Sequence, residues 1–339
     1  MRMYRPGIVP AAILFVALNW SPACFGEDAS LQSRWSQLLT DLLDARTQAF
    51  SGKVTFEGRL GANYDLPTDR IARHVGERVY DLRVDSFRFE QTYEARISIR
   101  GPGDRSLPKP DDIAPVYPVR YLACKTPGYF SDWSQHAKTT MSGVNLRDPK
   151  YQPKGGETHE FPLDPLAIGI VSYHDWRYGF NLVNAHERWR NLAVVDWQEE
   201  DHLATVSLKS PEGANFKFLI DTKRLVPVSH ECTTDDGIFA YHCDTDWEEQ
   251  RGVQIPVRYE WERKVKSDEF NGREWGKYVF AWDQLKGEFP SRLFEFNSFS
   301  PLPFGGNDVH DDRGPESKYI GHLQSDGTLK DMHKPPGKK

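Results

Sequence analysis

His242, Asp244 and Asp246 occupy alternate positions in a run from Ile238 to Trp247. On an extended strand alternate residues share a face, so these side chains could offer one imidazole nitrogen and two carboxylates to a divalent cation. No fourth ligand is spaced for closure, and the simpler reading is a solvated polar face on a half-exposed strand. A second constellation pairs carboxylates with indoles: Asp196, Glu199, Glu200 and Asp201 lie near Trp189 and Trp197, and Glu260 and Glu262 flank Trp261. Glycoside cleavage needs two carboxyls about 5 to 10 Å apart, and indoles stack on sugar rings. Sequence does not set that separation, and exposed glutamates on strands are commonplace. His310, Asp311 and Asp312 read as a solvated charge run. The chain contains no G-x-S-x-G, H-E-x-x-H, G-x-x-x-x-G-K-[ST] or G-x-G-x-x-G, so the common hydrolase, zinc-protease and nucleotide-binding arrangements lack their first requirement. We expect no catalytic residues, metal or cofactor.

Arg2 and Arg5 precede an apolar run from Ile8 to Trp20, which has the length of a secretory leader rather than of a membrane span. Ala23 and Gly26 permit cleavage near Gly26, so residues 1–26 read as a signal peptide and the product as a periplasmic or cell-envelope protein. A rival reading takes Ser21-Pro22-Ala23-Cys24 as a degraded lipobox with Cys24 lipidated, which Ser21 and Pro22 fit poorly. Cleavage leaves Cys124, Cys232 and Cys243. A four-residue loop over 236 to 239 would set Cys232 opposite Cys243, where a disulfide could close in an oxidising compartment; two reduced thiols are the alternative. No C-x-x-C occurs.

The elements that must position these groups are mostly strands. Leu31, Trp35, Leu38, Leu39, Leu42, Leu43 and Ala49 repeat at helical spacing. Beyond Ser51-Gly52, Val54, Phe56, Gly58 and Leu60 alternate with Lys53, Thr55, Glu57 and Arg59, the pattern of a strand with one buried face. Tyr80, Leu82 and Val84 continue in even register, whereas Phe87 and Phe89 are odd, so Asp85-Ser86 is a turn or bulge. Residues 101–120, with five prolines, read as a surface loop, and 142–162 as a second insertion. Asp164-Pro165 supplies an N-cap and a first-turn proline for a short helix.

Strands return at 192–197, 204–208, 216–220, 226–232 and 238–247. The clearest spans 253–265, where Val253, Ile255, Val257, Tyr259, Trp261 and Val265 alternate with polar residues and Arg263 is the only exception. Tyr278, Phe280 and Trp282 mark another. Connections too short for crossover helices imply an antiparallel meander. The fold class is therefore mainly β (α+β): a curved antiparallel sheet that curls around a core or is covered by one or two helices. Residues 27–313 make up this domain, and 314–339, poor in apolar residues, read as a disordered tail.

Composition excludes other classes. The chain has 339 residues, 43 Lys and Arg against 49 Asp and Glu, and 13% aromatic residues with ten Trp and four Met. A net charge of −6, falling to −8 once Arg2 and Arg5 depart, argues against general nucleic-acid binding. The set Phe56, Tyr259, Trp261, Tyr278, Phe280 and Trp282 suits an ordinary core, or a ligand cavity where a curled sheet turns large rings inward.

The succession of the first helix, the Ser51-Gly52 strand, Asp164-Pro165, Ile220-Asp221 through Pro227, Val253-Gln254-Ile255-Pro256, Phe294-Glu295-Phe296 through Pro303 and Gly305, and Val309 to Asp311 resembles the periplasmic lipoprotein-carrier family of LolA- and LolB-like proteins. It covers most of residues 30–312, and the chain is longer than a simple carrier. The resemblance implies a helix-closed incomplete barrel that holds a lipid or lipoprotein acyl chain in an apolar concavity, with envelope proteins as further partners. The two alternatives are an envelope protein that binds or cleaves carbohydrate, and a structural or interaction module without a ligand.

Overall fold

The computed structural model describes residues 29–64, 70–95, 117–136, 139–140, 144–151, 164–171, 182–267, 270–299 and 307–330. The expected leader and most of the two expected insertions lie outside these residues. Helix α1 (Ala29–Thr47) leads into a first meander of β1 (Ser51–Tyr64), β2 (Arg70–Asp81), β3 (Ser86–Ala95), β4 (Tyr117–Thr126), β5 (Tyr129–His136) and β6 (Thr139–Thr140). After β7 (Val144–Leu146) and helix α2 (Leu182–Arg190), a second meander runs through β8 (Ala193–Glu200), β9 (Leu203–Lys209), β10 (Ala214–Asp221), β11 (Val226–Thr234), β12 (Phe239–Gln250), β13 (Val253–Ser267) and β14 (Phe270–Asp283).

The two meanders form one sheet because β1 pairs antiparallel with β14 from Lys53↔Asp283 to Tyr64↔Gly272. The thirteen strands lie in the order β6-β5-β4-β3-β2-β1-β14-β13-β12-β11-β10-β9-β8. The sheet is curved and its ends, β6 and β8, do not meet, so it is an incomplete barrel. Side-chain alternation divides it cleanly. Val54, Phe56, Tyr80, Phe89, Val206, Phe218, Tyr241 and Tyr259 face a common interior, and the intervening residues are largely polar.

Helix α1 closes that interior with Trp35, Leu38, Leu39 and Leu42. Its Trp35 Nε1 donates to the Trp189 carbonyl at 2.9 Å, and Trp189 Nε1 donates in turn to the Ile170 carbonyl at 2.9 Å. These two indole bonds tie α1, α2 and the segment 164–171 together and give both buried indole N–H groups an acceptor. Among the described residues no helix is long and apolar enough to cross a membrane.

Four sequence expectations are corrected. Residues 164–171 form consecutive turns rather than a helix: the Asp164 side chain accepts from Leu166 N as anticipated, but Gly169 turns left-handed at φ 78° against Pro227. The second helix is α2. Residues 117–120 belong to β4 and 144–146 to β7 rather than to loops. Leu82–Val84 is a single 3₁₀ turn whose end residue Asp85 has φ 45°, so even register stops at Asp81.

The tail is also partly ordered. β15 (Asn307–Asp311), β16 (Lys318–Leu323) and β17 (Leu329–Lys330) join β7 in a second sheet, ordered β17-β16-β15-β7. Leu323 and Val309 pack with Leu122, Cys124, Trp133, Val144, Leu146 and Phe299, a small core on the outer face of β4 and β5. Leu323 suffices in this polar stretch because β4 and β5 already present an apolar outer surface.

Gly58 lies opposite Tyr278, and a Cβ there would stand 2.3 Å from the Tyr278 ring and 2.6 Å from the Lys277 carbonyl. We expect Gly58→Ala to destabilise the fold by about 1–3 kcal/mol, since neither backbone nor packed ring can yield freely. A lower urea midpoint with unchanged slope is the readout.

Candidate functional site

Five of the six aromatic residues singled out in the sequence meet on three adjacent strands. Phe56 on β1 is in register with Phe280 on β14, and Tyr278 on β14 with Tyr259 on β13. Phe56 stands 6.0 Å from Tyr278 and 6.3 Å from Phe280 between ring centroids, and Tyr259 is 6.3 Å from Tyr278. Glycines make this crowding possible. Gly58 faces Tyr278, Gly276 faces Trp261 and Gly76 lies under Phe56, where an added Cβ would approach ring atoms to 2.3, 2.3 and 2.4 Å. Phe56, Tyr259, Trp261, Tyr278 and Phe280 are 0–4% exposed. Trp282, half-buried at the end of the row, donates from Nε1 to the Pro256 carbonyl at 2.8 Å.

A few polar groups interrupt this wall. His74 on β2 contacts Gln91 Oε1 through Nε2 at 2.8 Å and the Tyr278 hydroxyl through Nδ1 at 2.9 Å. An amide oxygen only accepts, so Nε2 carries the proton and Nδ1 accepts from the tyrosine. Burial lowers the His74 pKa to about 4, which keeps the ring neutral. The Tyr241 and Tyr259 hydroxyls share a hydrogen bond of 2.7 Å. Arg263, the one break in the β13 alternation, keeps the inward parity of Trp261 and meets Glu274 on β14 at 2.7 Å. Burial raises the Glu274 pKa to about 7.

Arg46, at the end of α1, is buried over the Trp247 ring at 3.9 Å and donates to the Leu225 and Gln254 carbonyls. Desolvation lowers its pKa to about 9. Our sequence reading missed His74, Gln91, Arg46 and Glu274. Parity was the available signal for the first two: His74 shares the even register of Tyr80, and Gln91 the odd register of Phe89.

The other chemistry-bearing groups lie elsewhere. His242, Asp244 and Asp246 do share the outer face of β12, yet His242 is held by Asp244 at 2.8 Å and Glu231 at 3.4 Å, and Asp246 by Arg258 at 3.4 Å. Glu260 and Glu262 also project outward, to Lys277 at 2.6 Å and to Arg273 at 2.6 Å, on the face opposite Trp261. Asp196 accepts from Gln198 and Glu199 pairs with Arg34, whose guanidinium covers Trp197, while Trp189 is fully buried. Cys124, Cys232 and Cys243 are free thiols. Of the two states the sequence left open for Cys232 and Cys243, register favours the reduced one: Cys232 opposes Tyr241 and Cys243 opposes His230, an offset of two residues. Such diagonal neighbours lie about 7–8 Å apart, beyond what an S–S bond spans without backbone movement. The cause is the turn, which takes Asp235–Ile238 with Gly237 at φ 68° rather than 236–239.

The two shifted groups make opposed pH contributions. His74 falls from an unfolded value of 6.5 to about 4, so the unfolded chain binds the extra proton and stability is lost as pH drops through that window. Glu274 rises from 4.5 to about 7, so the folded chain binds the extra proton and stability grows as pH drops from 7 to 4.5. We expect Glu274→Gln to steepen the loss of stability between pH 6.5 and 4.5 by about 1–3 kcal/mol, and His74→Gln to abolish or reverse it. Urea unfolding across this range checks both signs.

No protein-family model matches the chain, and no curated protein matches it in sequence. Among solved structures it is similar to a LolA-superfamily protein from Nitrosomonas europaea, at 9% identity and a TM-score of 0.41, over 78% of this chain and 99% of that one. A DUF1329 family protein from Desulfovibrio piger aligns at 9% identity and a TM-score of 0.43, over 78% and 99%. A domain assigned to outer-membrane lipoprotein sorting from Vibrio parahaemolyticus aligns at 8% identity and a TM-score of 0.44, over 79% and 98%.

Proposed function

We propose that this is an exported envelope protein that holds a lipid or lipoprotein acyl chain against the inner wall of the sheet and catalyses no reaction. The observation that carries this reading is the wall itself: Phe56, Tyr259, Trp261, Tyr278 and Phe280 turn toward one interior on three neighbouring strands, under a cover of helix and turns. Such a surface offers area rather than direction, which suits a hydrocarbon. Each buried methylene contributes about 0.8 kcal/mol, so ten of them supply about 8 kcal/mol without any specific polar group. The polar groups on that wall are few and internally bonded, as His74 is to Gln91 and Tyr278. Loading exchanges cover-to-wall contacts for chain-to-wall contacts. The leader-like segment with Arg2, Arg5 and the run from Ile8 to Trp20 supports export.

The carbohydrate alternative set Trp261 beside Glu260 and Glu262, and the sheet separates those: Trp261 faces inward whereas Glu260 and Glu262 face outward and pair with Lys277 and Arg273. The tight packing of the rings favours a second reading, an interaction module whose interior needs no ligand. Native mass spectrometry after mild purification separates the two. We expect a bound mass of lipid size and displacement of a fluorescent fatty acid by palmitate. Leu60→Lys, which puts an ammonium beside Gly276 and Trp261, should weaken that probe about tenfold or more. A protein that is always empty and ignores fatty-acid probes would overturn carriage and leave the module.

A further inference from the structure

A second surface, on the outer face of the same strands, has a composition that the inner wall does not explain. Arg59 on β1 is in direct register with Lys277 on β14 and with Arg73 on β2, so three cations stand side by side across adjacent strands. Like charges directly opposite one another destabilise a sheet, and a row of three calls for a counter-charge. Part of it is internal. Arg73 pairs with Glu57 at 3.0 Å, Lys277 with Glu260 at 2.6 Å, and Arg258 on β13 with Asp246 at 3.4 Å. The central Arg59 is exposed and has no acidic partner among the described residues.

These side chains line a cleft of about 540 Å³ in which Arg59, Arg73, Arg258 and Lys277 face Glu57 and Glu260, and once Asp246, the partner of Arg258, is counted the excess is one positive charge, that of Arg59. The excess is local, since the chain as a whole carries a net charge of −6. Apolar side chains flank the cation row on both sides. In one neighbouring row Trp275 lies across Gly61, where an added Cβ would come within 2.1 Å of the ring, and Ile71 follows at 48% exposure. In the other, Val279 is 59% exposed, the largest value among the exposed large apolar side chains of the described residues.

Cations alone would suit any polyanion. Cations interleaved with exposed aliphatic side chains and an indole suit the boundary of a bilayer, where ammonium and guanidinium groups reach headgroup phosphates and apolar groups enter the acyl edge. We infer that this cleft is a docking surface for a membrane containing anionic phospholipid, with Arg59 at its centre. The surface lies on the opposite side of the sheet from the inner wall, and the inference stands whether or not that wall carries a ligand.

The test is sedimentation of the exported, purified chain with phosphatidylcholine vesicles made with and without phosphatidylglycerol. We expect binding about tenfold tighter to the anionic vesicles, weakening as salt is raised. Arg59→Glu should remove most of that preference and Arg59→Gln part of it, and the double variant Ile71→Ser with Val279→Ser should weaken binding without altering charge. Urea midpoints confirm that each variant is folded; Arg59→Gln, which adds no charge, carries the test if Arg59→Glu is not. Equal binding to both vesicle types, or undiminished binding by the folded Arg59 variants, would overturn the inference. So would binding to polyglutamate without binding to vesicles, which would assign the cleft to an acidic polypeptide instead.

Discussion

The pairing of β1 with β14 holds the rest of the structure in place. It joins residues more than 200 positions apart, from Lys53↔Asp283 to Tyr64↔Gly272, and turns two separate meanders into one sheet of thirteen strands. Without it each meander would present a free edge of long, partly apolar strand, an exposed template for unwanted pairing. With it, Phe56 from the first meander comes beside Tyr278 and Phe280 from the second, and the wall of rings becomes continuous. Such a contact forms only after its loop-closure entropy has been met, which places this seam among the slow, non-local events of folding.

Because alternation is strict across that seam, the two faces of the same strands meet different physics. Inward, rings fit against glycines at Gly58, Gly76 and Gly276, and His74 pairs with Gln91 and Tyr278 and Arg263 with Glu274. Outward, Lys53–Glu77, Arg73–Glu57, Lys277–Glu260 and Arg273–Glu262 form a ladder of exposed cross-strand ion pairs. Each exposed pair contributes about 0–1 kcal/mol, so the ladder keeps the outer face wet and in register more than it stabilises the fold. Over β4 and β5 the outer face carries a packed apolar cluster, Leu122, Cys124 and Trp133, and there the second sheet covers it.

The site was legible in part. Val54, Phe56 and Gly58 on β1, and Tyr278 and Phe280 on β14, announce an apolar face by period alone, and the structure buries them. Arg263 stood out as an exception to the pattern, and its explanation, Glu274, lies on a neighbouring strand whose register no local pattern specifies. His74 and Gln91 were passed over because a polar residue at inward parity looks like noise until the strand beside it is known. The ordering of 318–330 was missed for a related reason: Leu323 buys its burial from Trp133 and Phe299, not from its own neighbours in sequence.

What the amino-acid order decided by itself is therefore the local register of each element: the stripe of Trp35, Leu38, Leu39 and Leu42 on α1, the period-two strands, and connections too short for anything but antiparallel neighbours. These follow from side-chain geometry within a few residues. Tertiary structure alone decided which strand closes on β1, that Cys232 and Cys243 stand two residues out of step, and that 164–171 is a pair of turns against Pro227 rather than a helix. Each of those outcomes turns on contacts between residues distant in the chain, where a shift of one or two positions exchanges every partner while leaving the local pattern unchanged.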